Sequence, residues 1–143
     1  MGRVSRLFMS GVAVAIAMFL IAITAQAQTR GAAAPAGRTL KNPVASTPAS
    51  ITAGAAAYKK YCAFCHGTTG KGDGPLAPKD AKPADLTDAK WDHGATDGEI
   101  FNLIQNGGGT NSKMVAFKGK LPDQDMWHVV NFLRSLGPKD APR

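Results

Sequence analysis

Cys62-Ala63-Phe64-Cys65-His66-Gly67 is the stretch on which the reading of this chain turns. Two thiols and an imidazole stand at i, i+3 and i+4, so a helix brings all three onto one face. In that arrangement each thiol adds across a vinyl group of haem to give a thioether, and the adjacent imidazole is held where it binds the iron. Gly67 then ends the helix with a residue that adopts positive φ without steric cost. Three other readings share these residues. A thioredoxin-like redox pair needs a βαβ context, which is missing here. A structural zinc site needs a second pair of ligands, and only His93 and His128 remain, far apart and unpaired. A short-loop disulfide stays open, but it explains neither His66 nor the helical placement.

Upstream of the motif, Thr52 is a candidate cap for a first helix in which Tyr58, Tyr61, Cys62 and Cys65 fall at offsets 0, 3, 4 and 7, so that the motif closes this helix. Downstream, residues 67–83 carry Gly67, Gly70, Gly72, Gly74 and Pro75 before Leu76, the punctuation of an irregular but packed loop. Thr96-Asp97-Gly98-Glu99 has capping-box spacing, and Ile100, Leu103 and Ile104 continue at helical period until Asn106-Gly107-Gly108-Gly109. Met126, Val129, Val130, Leu133 and Leu136 repeat at offsets 0, 3, 4, 7 and 10 before Gly137-Pro138, the clearest amphipathic helix of the chain. No segment alternates as a strand does. The expected fold class is all-α, three to four short helices and long loops wrapped around one covalently bound haem.

If His66 binds one side of the iron, the opposite side takes its ligand from a distant segment, and that choice sets the chemistry. A thioether raises the potential, whereas an open site permits ligand binding or catalysis. Met114 lies in the polar, glycine-led loop Gly109–Phe117, where a methionine has no periodic core role, and it is the favoured ligand. Met126 sits on the apolar stripe of the last helix and reads as core packing. His93, His128 and an open site remain as alternatives, although both histidines read more readily as surface or partly buried residues.

The ends of the chain place the domain. Residues 1–10 carry Arg3 and Arg6 and no acid, residues 11–24 are almost wholly apolar, and Ala25-Gln26-Ala27 fits a small-x-small cleavage site. The apolar run is about fourteen residues, short of the ~20 that a spanning helix needs, so residues 1–27 read as a cleaved signal peptide and the protein as periplasmic. An uncleaved signal would tether it to the membrane. Removing Arg3 and Arg6 lowers the formal charge of +7 by two, to +5. Scattered lysines, with no basic run, argue against nucleic acid. Residues 28–50, rich in Ala, Pro, Thr, Ser and Gly, read as a flexible leader. The compact domain is expected over residues 51–137, with 138–143 as a tail, and so small a core needs a large prosthetic group to complete it.

Taken together these residues resemble the class I cytochromes c of the small bacterial periplasmic type, over about residues 52–137. The resemblance rests on Cys62–Gly67, on Gly54 and Tyr58, on Met114-Val115-Ala116-Phe117 and on Trp127–Leu136. It implies that Gly54 and Tyr58 of the first helix pack against Val129 and Phe132 of the last. It also implies that a proline carbonyl, Pro75 or else Pro78, accepts the ring N–H of His66. Trp91 reads as core or rim packing, with a place near a haem propionate as its alternative. Two positions depart from the pattern. Val115 stands where proline often follows the ligand methionine, which predicts a less rigid loop. Pro122 stands where Ser or Thr commonly caps the last helix, so the cap is expected from Leu121 or Asp123. The function implied is that of an extracytoplasmic one-electron carrier, not an enzyme, with haem c held by Cys62 and Cys65 and its iron by His66 and Met114. Its partners would be redox proteins, with Lys113, Lys118 and Lys120 as a docking face for acidic surfaces. The alternatives are a dedicated haem c subunit of a larger dehydrogenase or oxidase complex, or a five-coordinate gas-binding or peroxidase-like haem protein.

Overall fold

The structure, a computed structural model, describes residues 36–138, which fall within one compact unit, Pro35–Arg143. The expected signal peptide at 1–27, the first part of the leader and the tail from 139 lie outside the described residues. Four helices make up the regular structure of the described residues, α1 Pro48–Tyr61, α2 Ala63–His66, α3 Asp97–Asn106 and α4 Asp123–Leu136. Among the described residues there is no strand, and no helix is long and apolar enough to cross a membrane.

α1 begins earlier than the pattern predicts. Thr47, not Thr52, is the N-cap: its hydroxyl accepts the Ser50 amide at 3.2 Å, and Pro48 occupies the first turn, where its missing N–H is harmless. Thr52 lies inside the helix, its hydroxyl donating to the Pro48 carbonyl at 2.9 Å. The helix crosses α4 at Gly54. A β-carbon there would collide with the carbonyl of His128 and press on Phe132 Cβ at 2.9 Å, so only glycine permits this approach. One turn further along, the rings of Tyr58 and Phe132 pack 5.1 Å apart, and Val129 is buried beside them. The pairing that the resemblance implied is present.

α3 opens with the expected capping box. The Thr96 hydroxyl accepts the Glu99 amide at 3.3 Å and the Glu99 carboxylate accepts the Thr96 amide at 2.9 Å. That amide is the main reason the Glu99 carboxyl is held below the ordinary carboxylate range. α3 packs on α4 through the stacked rings of Phe101 and Trp127, 4.0 Å apart. Met126, Val129, Val130 and Leu133 of α4 form the centre of the core. Pro122 is itself the cap residue of α4, with extended ψ of 147°, and its carbonyl accepts the Met126 amide at 3.0 Å. No side chain caps this end, so the cap expected from Leu121 or Asp123 is replaced by the Pro122 carbonyl, which needs no N–H to accept the first intrahelical bond.

The described half of the leader is not free. Asn131 of α4 is buried, and its amide group donates to the carbonyls of Val44 (3.1 Å) and Ala45 (3.3 Å) and to the Ser50 hydroxyl (2.8 Å). Its carbonyl oxygen accepts from Asn42 at 2.9 Å. Further back, Gly37 and Gly98 meet so closely that a β-carbon on either would strike the other's carbonyl. Composition made residues 36–47 look unstructured. A buried amide that needs four partners draws them into a strap across α4 and the start of α3.

Candidate functional site

The motif occupies a turn of its own. Cys62, at φ −115°, interrupts the helix after Tyr61, and Ala63–His66 starts afresh as α2. The amides of Cys65 and His66 both donate to the Cys62 carbonyl, at 3.1 and 2.9 Å, so the three ligating side chains remain on one short arc. Gly67 closes it at φ +78°, and its carbonyl accepts the buried Tyr58 hydroxyl at 2.8 Å. Burial pushes that phenol above its ordinary range, which keeps it a donor.

Both thiols are free and half-buried. Burial, and secondarily Cys65, pushes the Cys62 thiol up to about 12, so it stays protonated. Burial also lowers His66 against a smaller opposing pull from the Ala84 carbonyl, which favours the neutral imidazole that a metal requires. Its Nδ1 lies 3.4 Å from the Ala84 carbonyl, and no hydrogen bond joins it to Pro75 or Pro78.

The loop after the motif is bonded back onto it. The amides of Gly72, Gly74 and Leu76 donate to the carbonyls of His66, Cys65 and Phe64 at 2.8, 3.1 and 2.8 Å, and Leu86 reaches Gly70 at 2.7 Å. Residues 67–83 are thus irregular yet ordered, as their glycines predicted.

Met114 is partly buried against the core, on a loop tied to the end of α3. The Gly108 amide donates to the Met114 carbonyl at 3.0 Å, and the Met114 amide donates to the Ser112 hydroxyl at 3.1 Å. Phe117 and Lys118 donate to Ile104 and Gln105 at 3.1 and 3.0 Å. These bonds supply the rigidity that Val115 in place of proline withholds. The rings of Tyr61 and Phe117, 6.2 Å apart and edge to face, join the helix that leads into the motif to this loop. Of the remaining candidates, Met126 is fully buried in the core, His93 is exposed, and His128 Nδ1 lies 2.8 Å from the Ser50 hydroxyl.

The surroundings fit a haem. Among the described residues four large apolar side chains stay exposed, and three of them, Phe64, Leu76 and Val115, are chain neighbours of Cys65, Pro75 and Met114. An apolar disc between the motif and the Met114 loop would cover surface that the protein leaves bare. Two buried donors, Trp91 Nε1 and Arg134 Nη1, have no acceptor among the described residues. Sequence reasoning passed over Arg134. A charged residue four positions after Val130, on the buried side of the most apolar helix, was the available signal.

Comparison with known proteins agrees with this geometry. No curated protein matches the chain. Among solved structures, it is similar to a chain of the reducing HAO-like protein complex of Kuenenia stuttgartiensis, at 29% identity and a TM-score of 0.59, covering 67% of this chain and 47% of that one. It is also similar to cytochrome CL of the marine methylotroph Methylophaga aminisulfidivorans, at 26% identity and a TM-score of 0.53, covering 66% and 62%. The chain therefore spans about half the length of the first and less than two thirds of the second. Residues 49–133, more than half of the chain, match the family of cbb3-type cytochrome c oxidase subunit III. With two free thiols and a neutral imidazole on one turn of an all-α fold, the chain belongs to that family, and it is a class I c-type cytochrome domain that binds haem c covalently.

Proposed function

We propose that this protein is an extracytoplasmic one-electron carrier whose haem iron is held by His66 and Met114. The observation that supports it best is the Met114 loop, bonded at both ends to α3 and joined to the motif helix through Tyr61 and Phe117. Haem supplies a one-electron couple between Fe(III) and Fe(II), and a thioether ligand favours the reduced form. Cys62 and Cys65 hold the ring as thioethers, and His66 offers a neutral nitrogen. We take the Pro75 carbonyl, between Gly74 and Leu76 whose amides are bonded to the motif, as the acceptor of the His66 ring N–H once haem fixes the imidazole. The signal-peptide pattern of residues 1–27 supports export to the periplasm.

Absorption spectra of the oxidised and reduced holoprotein test this ligation. We expect a low-spin haem with the thioether-to-iron charge-transfer band of the oxidised form, lost in Met114→Ala, and no carbon monoxide binding to the reduced wild type. Survival of the band in Met114→Ala, or ready carbon monoxide binding by the wild type, overturns the assignment.

Lys113, Lys118 and Lys120 are exposed around that loop, with Lys113 3.3 Å from Asp80. We take them as a docking face for an acidic redox partner. Reversing their charges should abolish the salt dependence of electron transfer to such a partner, whose rate in the wild type should fall steeply with added salt. A flat wild-type profile removes the docking face. One observation favours a second reading, a dedicated subunit of a larger redox assembly: a similar structure belongs to an HAO-like protein complex. Co-purification of a stable partner with the natively expressed protein distinguishes the two.

A further inference from the structure

The two sides of the proposed iron site hang from parts of the fold whose helices do not meet. The motif follows α1, and α2 touches α1 and no other helix. The Met114 loop is bonded to α3 through the amides of Phe117 and Lys118. Neither α1 nor α2 packs on α3, and α4 is the helix that touches both α1 and α3. Among the described residues no hydrogen bond runs between residues 61–86 and residues 107–120.

Side chains bridge this separation at two places. Lys113 Nζ lies 3.3 Å from the Asp80 carboxylate, but both side chains are more than half exposed, so water screens the pair and it constrains little. The second bridge is the edge-to-face contact of Tyr61 and Phe117, with ring centroids 6.2 Å apart and planes at 76°. Tyr61 immediately precedes Cys62, and Phe117 stands three residues after Met114. Both rings are half-buried against the core. Each is also anchored on its own side: the Phe117 amide is bonded to Ile104, and the Lys60 ammonium lies 5.0 Å from the centroid of the Tyr61 ring. An aromatic pair prefers a definite separation and angle, so two rings anchored in this way fix the distance between their anchors.

We propose that Tyr61 and Phe117 are positioning residues that set the width of the site and so keep Met114 within reach of an iron bound to His66. The inference rests on the reading of Met114 as the ligand and names what holds it there. Without the ring pair, the loop retains its bonds to α3 but loses its hold on the motif side.

The test mixes the oxidised holoprotein with saturating imidazole. Imidazole binds the iron only after the thioether has left, so the limiting rate is the rate at which Met114 departs. Tyr61→Leu should raise that rate about fivefold, the loss expected for one edge-to-face pair. Tyr61→Phe keeps the ring and should restore the wild-type rate. Phe117→Leu removes the same contact while leaving Lys60 on Tyr61, so it should match Tyr61→Leu, and it carries the test if Tyr61→Leu fails to mature. The double variant should be no faster than either single one. Limiting rates equal to wild type in the two leucine variants overturn the proposal, even where their unfolding temperatures fall, because rings that serve folding alone leave the rate unchanged. Effects that multiply in the double variant overturn it too, since the rings then act independently. A wild type that lacks the thioether-to-iron band overturns instead the ligation on which the proposal rests.

Discussion

The two loops that face the proposed iron site are both irregular and both rich in glycine, yet they are held in different ways. The loop after the motif bonds to residues six to sixteen positions earlier, from Gly72 onto His66 through Leu86 onto Gly70. The Met114 loop bonds within itself and to the last turn of α3, some fifty residues from the motif. The histidine side is therefore assembled locally with the covalent attachment point. The methionine side is instead held through a helix far from the motif in sequence. Ligands held on such different terms should be lost on different terms.

The largest effect should come from the loop that follows the motif. Gly72 stands at φ +73°, and a β-carbon there collides with the Pro83 carbonyl. Gly72→Ala should destabilise the holoprotein by about 3 kcal/mol, visible in thermal unfolding, because a strained φ and a backbone clash add. If its Tm stays at the wild-type value, the two loops are not held as differently as their bonding shows.

A smaller effect tests the far end of α3. Thr96→Ala should cost about 1 kcal/mol at neutral pH. The depressed Glu99 carboxyl adds a pH dependence of known sign: its contribution is complete above the ordinary carboxylate range and is lost as pH falls through the lowered folded value. Thermal melts of Glu99→Gln should lack that acidic loss of stability. The haem spectrum should change little, since the Met114 loop joins the other end of the helix.

The smallest effect sharpens the comparison most. Ser112→Ala removes one hydrogen bond to the Met114 amide and should cost about 1 kcal/mol or less. Its visible sign should be faster displacement of the proposed methionine ligand by added imidazole, with thermal stability nearly intact. Unchanged displacement kinetics would show that Ser112 does not hold the loop.

Much of this was legible in the residues, and what was not has physical causes. The capping box of α3 and the stripe of α4 are local patterns, and each stands where its spacing put it, whereas the motif does not close α1 as its spacing predicted but begins a separate turn after the break at Cys62. The start of α1 was not legible because Thr47-Pro48 lies in a stretch that reads as leader, and Thr52 offers an equally good cap one turn later. The strap was hidden because composition reports what a segment can bury, not which buried amide on another helix requires it. Asn131 and Arg134 share one cause. Both are polar residues set into the apolar side of α4, and their partners lie about ninety and forty residues earlier.

The strap also separates two units that are easily taken as one. The family match begins at residue 49, after Asn42, Val44 and Ala45. A fragment trimmed to that boundary would keep every haem ligand and still leave the Asn131 side chain facing vacated space, short of three of its four partners. The module that inheritance transmits is shorter than the module that folds, and grafting this domain onto another protein should carry residues 36–48 along with it.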